Sequence, residues 1–383
     1  MGSEKVLVTG GAGFIGSHLV DTLLERGHAV RVFDNLDPQV HGAGAQGPPT
    51  YLSREAEFIQ GDVRDAEALD AALGGVEVVF HQAAAVGVGQ SMYDIHRYTN
   101  INVLGTAALL ELLISRHRDH VRKLLVASSM SIYGEGKYVS PESGLPILVG
   151  LRGREQMQAG QWEHLAPGGN WLLRPAPCDE TKPLQPTSIY AINKRDQEEM
   201  ALVIGREYGI PTVALRYFNV YGPRQALSNP YTGVGAIFSS RLLNGKGPLI
   251  FEDGRQTRDL THVRDIARAN TLAMERDESN GHAINIGTGL ATSVLQVAEL
   301  LRKRLHPGRG DDPALAPKIV GKFRAGDIRH CFADISKARR LLGFKPEILF
   351  ERGVDDLIEW VRSQTAEDRT QKAYEELVER RLV

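Results

Sequence analysis

The sequence predicts an α/β fold, a doubly wound parallel sheet followed by a smaller, mixed but mostly helical C-terminal part. Three observations carry this reading. Short β-branched runs alternate with helical patterns through the first half of the chain. The runs are apolar almost throughout, as strands covered on both faces by helices must be. A glycine-rich turn, Gly10-Gly11-Ala12-Gly13-Phe14-Ile15-Gly16, joins the first run to the first helical pattern.

Taken in order, Val6-Leu7-Val8-Thr9 is the first strand, and residues 16–26 follow with Leu19, Val20, Leu23 and Leu24 at helical spacing. Residues 29–33, 56–60, 76–81, 123–127 and 212–216 are the next strands, with helices between most of them, notably over 102–115 and 187–207. The last third changes character: shorter helices over 292–304, 335–342 and 353–362 are separated by Pro- and Gly-rich connections. Residues 1–200 therefore form the sheet domain. Residues 201–383 form the second domain, with some of its strands returning to the first sheet. Residues 136–186 break the rhythm with many Gly and Pro and little periodicity; a structureless loop of that length is unusual in a compact domain, so a lid or a dimer-contact insertion is expected. The chain closes on an amphipathic, charge-mixed pattern over 366–381.

Composition excludes several classes. The 383 residues exceed the common domain size of about 100–150, and 42% hydrophobic with 24% charged residues is ordinary for a globular protein. Lys+Arg 45 against Asp+Glu 47 gives a net charge of −2, with no positive field for nucleic acid or an anionic membrane. Cys178 and Cys331 cannot build a four-thiolate zinc site and suit a reducing cytoplasm. No signal-peptide layout, and no apolar run near the ~20 residues that span a bilayer, is present. No metal site is expected.

The glycine turn satisfies G-x-G-x-x-G through Gly11, Gly13 and Gly16, the pattern of a Rossmann-type dinucleotide site. Its glycines allow a tight turn and close backbone approach, and the helix N-terminus then faces a pyrophosphate. Position decides, because Gly42-Ala43-Gly44-Ala45-Gln46-Gly47 matches the same expression. No strand leads into that copy and Pro48-Pro49 follows, so it reads as a loop. Asp34 ends the second strand, 18 residues beyond Gly16. An acid there accepts both ribose hydroxyls and repels a 2′-phosphate, which favours NAD over NADP; the bland alternative is a turn residue beside Asn35. Asp62 follows the third strand and could hold the adenine amino group.

Tyr-x-x-x-Lys occurs twice, as Tyr133/Lys137 and Tyr190/Lys194. Gly134 and Gly136 interrupt the first copy, so its two side chains need not share a face. The second has a Ser/Thr cap at Thr187-Ser188 and no internal breaker, and residues four apart on a helix are stacked neighbours. Lys194, helped by a positively charged nicotinamide, is then expected to lower the Tyr190 phenol from ~10 toward working pH. Ser129, at the end of the strand over 123–127, would hydrogen-bond the substrate oxygen that Tyr190 deprotonates. Ser128 and Ser131 could equally cap turns.

These residues resemble the extended short-chain dehydrogenase/reductase family, in its nucleotide-sugar 4-epimerase branch. The likeness runs through Thr9–Gly16, His81-Gln82-Ala83-Ala84-Ala85, Asn102-Val103-Leu104-Gly105-Thr106, Ser128-Ser129, Tyr190/Lys194, the run from Arg216 to Arg224, and Arg324-Ala325-Gly326-Asp327. It implies catalysis by Ser129, Tyr190 and Lys194. It implies NAD contacts from Gly10, Gly13, Phe14, Ile15, Gly16, Asp34, Asn35, Asp62, Val63, Ala83, Ala84 and Asn102, with Tyr190 and Lys194. It further implies that Val86, Ser129, Ser131, Tyr190, Asn219, Arg224, Arg258, Arg324 and Asp327 hold a nucleotide-diphosphate sugar. A homodimer through the helices over 102–115 and 187–207 is also implied, although burial within the monomer explains their apolar faces equally well.

Two departures narrow the activity. Related 4,6-dehydratases carry Asp-Glu after the catalytic hydroxyl, where Met130-Ser131 stand here, so dehydration is not expected. Ser129 and Tyr190 are 61 residues apart, farther than in shorter epimerases of the family. Val86-Gly87-Val88-Gly89-Gln90-Ser91, the long insertion and Arg255-Gln256-Thr257-Arg258-Asp259 look most like dTDP-L-rhamnose 4-epimerases. The resemblance thus implies transient C4 oxidation of a dTDP-6-deoxyhexose and re-reduction on the opposite face. The alternatives are a decarboxylase of a nucleotide-linked uronic acid, for which Arg97 or Arg195 would grip the carboxylate, a 4-ketoreductase, and a non-catalytic NAD-binding sensor or scaffold.

Overall fold

A computed structural model describes residues 2–169, 171–227, 233–309, 312–324, 326–364, 375–376 and 378–380. Seven parallel strands make the main sheet: β1 (Lys5–Thr9), β2 (Ala29–Asp34), β3 (Glu57–Gln60), β4 (Val78–His81), β5 (Lys123–Ser129), β6 (Thr212–Tyr217) and β7 (His282–Ile286). Their order is β7-β6-β5-β4-β1-β2-β3, so the chain direction across the sheet reverses between β1 and β4. In such sheets ligands bind in the crevice at the carboxyl ends of the strands beside that reversal. Thr9 at the end of β1 is in register with Phe33 of β2 and His81 of β4, and Ser129 of β5 with Tyr217 of β6.

Alternating side chains of the strands feed two cores, one on each face of the sheet. On one face Val6, Val8, Val32 and Phe80 pack with Leu19, Val20 and Leu23 of α1 (Phe14–Glu25). On the other, Leu7, Val79, Leu124 and Val126 pack with Leu109 and Leu113, from the helical run that includes α2 (Gly105–Leu112), and with Ala201 of α3 (Ile189–Tyr208). The helix α4 (Val263–Glu275) returns Ile266 and Ala269 to the first core, beside β7. A third cluster gathers Phe238, Leu242, Leu301 of α5 (Val294–Leu305) and Leu357 and Val361 of α6 (Phe350–Arg362). Among the described residues no helix is long and apolar enough to cross a membrane.

Local chemistry sets several boundaries. Ser188 caps α3 by accepting from Ala191 N, and left-handed Gly209 ends it. Ser293 and Gln296 form a capping box at the start of α5. The glycine run over 42–47 is a loop, as expected, and follows the short helix Pro38–His41. The helix expected over 366–381 falls largely outside the described residues.

The segment over 136–186 is not structureless. Its strands Lys137–Val139, Pro146–Ile147 and Arg174–Ala176 form an antiparallel sheet, and Arg154–Gln158 is a short helix. Hydrophobic periodicity gave no sign of this because buried charge, more than an apolar stripe, fixes the segment. Glu135 accepts from Arg329 N, His330 N and the Tyr138 hydroxyl. The buried Arg152 guanidinium forms a two-pronged pair with Glu252 at 2.8 and 2.9 Å. Glu163 receives Arg329 Nε at 2.9 Å and contacts His330 Nε2 at 3.0 Å.

Burial pushes Glu135 and Glu163 up. Hydrogen bonds and charge outweigh it, chiefly from His164 for Glu135 and from His330 and Arg329 for Glu163, and hold both carboxyls at about 2. A carboxyl near 4.5 in the unfolded chain then gains protons on unfolding, so its stabilisation is present above about pH 4.5 and is lost as pH falls toward 2. Unfolding midpoints measured from pH 6 to pH 2.5 should fall, and the fall should be shallower in Glu163→Gln. Parallel curves for the two proteins would contradict this.

Candidate active site

The turn after β1 brings the backbone close to itself. A Cβ on Gly16 would lie 2.2 Å from Gly10 O, and one on left-handed Gly10 would lie 2.7 Å from Ala83 N, so only glycine fits either position. Gly13 caps α1 with no side-chain hydrogen bond, so the first N–H groups of that helix are not capped by a side chain. Asp34 stands at the end of β2, mostly buried, and accepts Ala12 N at 3.0 Å and Leu36 N at 2.9 Å. Its carboxylate oxygens each keep a lone pair for a further donor. Burial raises the Asp34 pKa, against the pull of these N–H groups and His41. Asp62 binds Arg64 and Asn35, and the Arg64 hydrogen bond leads the effects that hold it at about 2. Val63 packs against Gly105, where a Cβ would lie 2.7 Å from it. A narrow backbone cradle, a helix N-terminus free of side-chain caps and an acid beside it fit the diphosphate and ribose of a dinucleotide.

Asn102 lies on the π-helical turn Asn100–Leu104 that leads into α2. Its amide accepts from Ala85 N at 2.8 Å and donates to Ala85 O at 3.1 Å. It thereby fixes the loop of Ala83 and Ala84 at the end of β4. Val86, just beyond, is exposed.

Ser129 closes β5, Tyr190 lies on the first turn of α3, and Lys194 one turn further on reaches back to β5. The Ser129 side chain is near enough to the Tyr190 phenol to oppose the effect of its burial. Ser131 donates to Ser129 Oγ at 2.9 Å. Lys194 Nζ donates to Ala127 O at 2.9 Å. The expected lowering of the phenol by Lys194 is not what the chain alone provides. Burial pushes Tyr190 up to about 12, with the Ser129 side chain opposing it, and burial brings Lys194 down to about 7. The cause is geometric, since the ammonium is turned to a strand carbonyl with no carboxylate beside it. The other Tyr-x-x-x-Lys is dispersed: Tyr133 donates to Asn285 Oδ1 in the interior, while Lys137 starts a strand and pairs with Asp179.

Two buried groups that motif spacing did not reveal support this trio. His81 joins Thr9 Oγ1 at 2.8 Å and Thr106 Oγ1 at 2.9 Å. Burial, with the nearby Lys194 charge, lowers it to about 3, so it is neutral. Glu198, one turn beyond Lys194, accepts Ser128 Oγ at 2.6 Å and Arg216 Nε at 3.0 Å, and Arg216 Nη1 reaches the Tyr133 hydroxyl at 2.7 Å. The i+4 spacing of Glu198 from Lys194 was the available signal, and Arg216 opens the run to Arg224 that carries the family likeness, with no role assigned to it there.

On the far side, Asn219 presents a buried Oδ1 with no partner among the described residues. Arg258 donates to Ile328 O at 2.8 Å and to Arg329 O at 3.1 Å, and Arg324 pairs with Asp327 at 2.8 Å. Arg224 does not join them. It stands at φ +67°, reaches Asp21 of α1 at 2.7 Å and lies over the Tyr51 ring. Its left-handed backbone aims the guanidinium at α1 instead of at Arg258 and Asp327. Arg97 is engaged with Asp37 at 2.8 Å, and Arg195 with Glu199 at 2.8 Å.

Comparison with known proteins agrees with this geometry. The model of the NAD dependent epimerase/dehydratase family matches residues 6–147, and that of GDP-mannose 4,6 dehydratase matches residues 172–357. A dTDP-L-rhamnose 4-epimerase of Burkholderia thailandensis is 38% identical over 94% of this chain and 96% of its own length. The UDP-glucose 4-epimerase of Thermotoga maritima, solved with UDP-glucose, is 34% identical with a TM-score of 0.74, covering 94% of this chain and 98% of that one. That of Thermus thermophilus, solved with NAD, is 31% identical with a TM-score of 0.72, covering 94% and 100%.

The lowered Lys194 carries its own prediction. An ammonium that titrates at about 7 in the fold and about 10.5 in the unfolded chain is taken up on unfolding between those values, so the fold gains stability as pH rises from 7 to 10.5. In cofactor-free protein, the unfolding midpoint of wild type relative to Lys194→Met should therefore rise across that interval. A constant difference would contradict the burial of a bare ammonium.

Proposed function

The chain belongs to the NAD dependent epimerase/dehydratase family of extended short-chain dehydrogenases/reductases, and we propose that within it the protein is a nucleotide-sugar 4-epimerase acting on a dTDP-6-deoxyhexose such as dTDP-L-rhamnose. The observation that carries this reading is the placement of Ser129 at the end of β5, with Tyr190 and Lys194 on the first turns of α3 packed on that strand, at the same end of the parallel sheet as the dinucleotide cradle, and with Met130-Ser131 where an eliminating enzyme needs an acid and a base. The dehydratase-type match begins at residue 172 and leaves those two positions outside it. The decarboxylase alternative loses support, because the two cations it would use, Arg97 and Arg195, already hold carboxylates.

Gly10, Gly13, Phe14, Ile15 and Gly16 would receive the NAD pyrophosphate, Asp34 the adenosine ribose, and Asn35, Asp62 and Val63 would border the adenine. Ala83 and Ala84, fixed by Asn102, would line the middle of the cofactor, and Tyr190 and Lys194 its nicotinamide end. When bound, NAD supplies the hydride acceptor and donor at C4 and, in its oxidised form, a positive charge near the phenol. Tyr190 takes the C4 hydroxyl proton, Ser129 with Ser131 behind it stabilises the sugar oxygen, and Lys194 supports the phenolate. Asn219, Arg258, Arg324 and Asp327 would grip the nucleotide diphosphate. Held at that end, the sugar, bordered by Val86, would be free to turn and present its other face to the cofactor, and Tyr190 would return the proton. Leu104 near α2 and Ile192 and Val203 of α3 are exposed and apolar, in line with a homodimer through these helices.

Proton NMR in D₂O with dTDP-L-rhamnose, repeated with UDP-glucose, UDP-galactose and UDP-glucuronate, tests the reading. A C4-inverted product with no deuterium at carbon is expected from the dTDP sugar. Loss of the carboxylate, or a lasting 4-keto product, would overturn it. Tyr190→Phe should lower turnover by about 10²-fold or more while leaving bound NAD unchanged, and full turnover in that variant would discard the mechanism.

A further inference from the structure

The segment over 136–176 and the groups proposed to grip the diphosphate are tied together by one buried charge network. Arg152 has no exposed side-chain surface. Its guanidinium donates to both oxygens of Glu252, to Trp162 O at 3.0 Å and to Asp327 O at 3.1 Å. Asp327 in turn receives Arg324 on its carboxylate at 2.8 Å. Arg329 is likewise fully buried. Its side chain reaches Glu163, Glu252 Oε2 at 2.9 Å and Asp253 Oδ1 at 2.7 Å, while its own carbonyl accepts Arg258. Glu252 Oε2 is shared by both arginines, and Glu252 is held at φ +54°, a backbone conformation that a side chain this size adopts only under constraint. Each of the two cations, Arg258 and Arg324, is therefore one residue removed from a charge supplied by the inserted segment.

We propose that this segment is a fixed brace for the diphosphate end of the substrate site, with Arg152 and Glu163 as positioning residues for Arg324–Asp327 and Arg258. This rests on the reading that those groups grip a nucleotide diphosphate. A bidentate guanidinium–carboxylate pair has a set direction, and an ammonium cannot reproduce it. Loosening the brace thus disperses the two cations and weakens nucleotide binding, while the cradle of Gly10–Gly16 and the Ser129–Tyr190 pair lie on other elements and stay in place.

The test measures dTDP and UDP affinity by calorimetry on NAD-loaded wild type, Arg152→Met, Arg152→Lys and Glu163→Gln, with bound NAD quantified in each. Arg152→Met leaves Glu252 short of a partner and could lose its fold; Glu163→Gln, at a partly exposed side chain, keeps the test open. Leu242→Ala, in the third core, serves as a control of general destabilisation. The expected result is roughly tenfold or greater loss of nucleotide affinity in the folded brace variants. NAD content should be unchanged, KM raised more than kcat is lowered, Arg152→Lys should not rescue, and Leu242→Ala should bind as wild type. Wild-type affinity in folded Glu163→Gln and Arg152→Lys would overturn the brace alone. Equal loss in Leu242→Ala would reduce it to general stability. Failure of wild type itself to bind either nucleoside diphosphate would overturn the underlying reading of Arg258 and Arg324 and the brace with it.

Discussion

Helix α3 is held by the apolar core through Ala201, but a buried polar stripe sets where along the sheet it sits, and with it the geometry of the site. Lys194 reaches Ala127 O, Gln197 reaches Thr106 Oγ1 at 2.7 Å, and Glu198 joins Ser128 and Arg216. All of these groups are buried, so each must find its partner or bear the cost of desolvation unrelieved. An apolar contact would tolerate sliding by part of a turn. These do not, because hydrogen bonds fail within a few tenths of an ångström and a few tens of degrees. With that stripe fixed, Tyr190 can lie only where the end of β5 presents Ser129.

The same logic explains why so polar an interior is tolerated. His81 is kept neutral, with hydroxyls on both ring nitrogens, and Glu198 faces a guanidinium. Lys194 departs from this, as Lys182 does: a buried amine bonded to carbonyl oxygen with no carboxylate partner among the described residues. Groups held in an unfavourable charge state cluster where a ligand completes the electrostatics. Tyr190, pushed upward beside it, is the complementary half of that arrangement.

Much of the frame was legible because it depends on local rules. Six of the seven strands and the helices between them follow from apolar runs and glycine placement, while β7 is covered only by the general expectation that later strands return to the first sheet. Gly134 and Gly136 correctly set aside Tyr133/Lys137, since helix propensity is a property of a few neighbouring residues. The site was legible where a motif is contiguous, as at Gly10–Gly16 or Tyr190/Lys194. It failed where direction or burial decides. The aim of Arg224 depends on a single left-handed φ, and the state of the Tyr190 phenol on what covers it. The order of residues 137–176 depends on Arg329 and Glu252, and no window of sequence contains both ends of such a pair.

That separation has a kinetic meaning. Arg152 is bonded to residues 100 and 175 positions away, and Glu163 to one 166 positions away. Contacts of such span close late, because the chain between them must first be ordered. As the polypeptide leaves the ribosome, the inserted segment emerges long before the residues that neutralise it. It stays hydrated and unsettled while the first six strands can already pair. Its arrival in place then marks completion of the molecule, and proteolytic resistance of these forty or so residues would report the last step of folding.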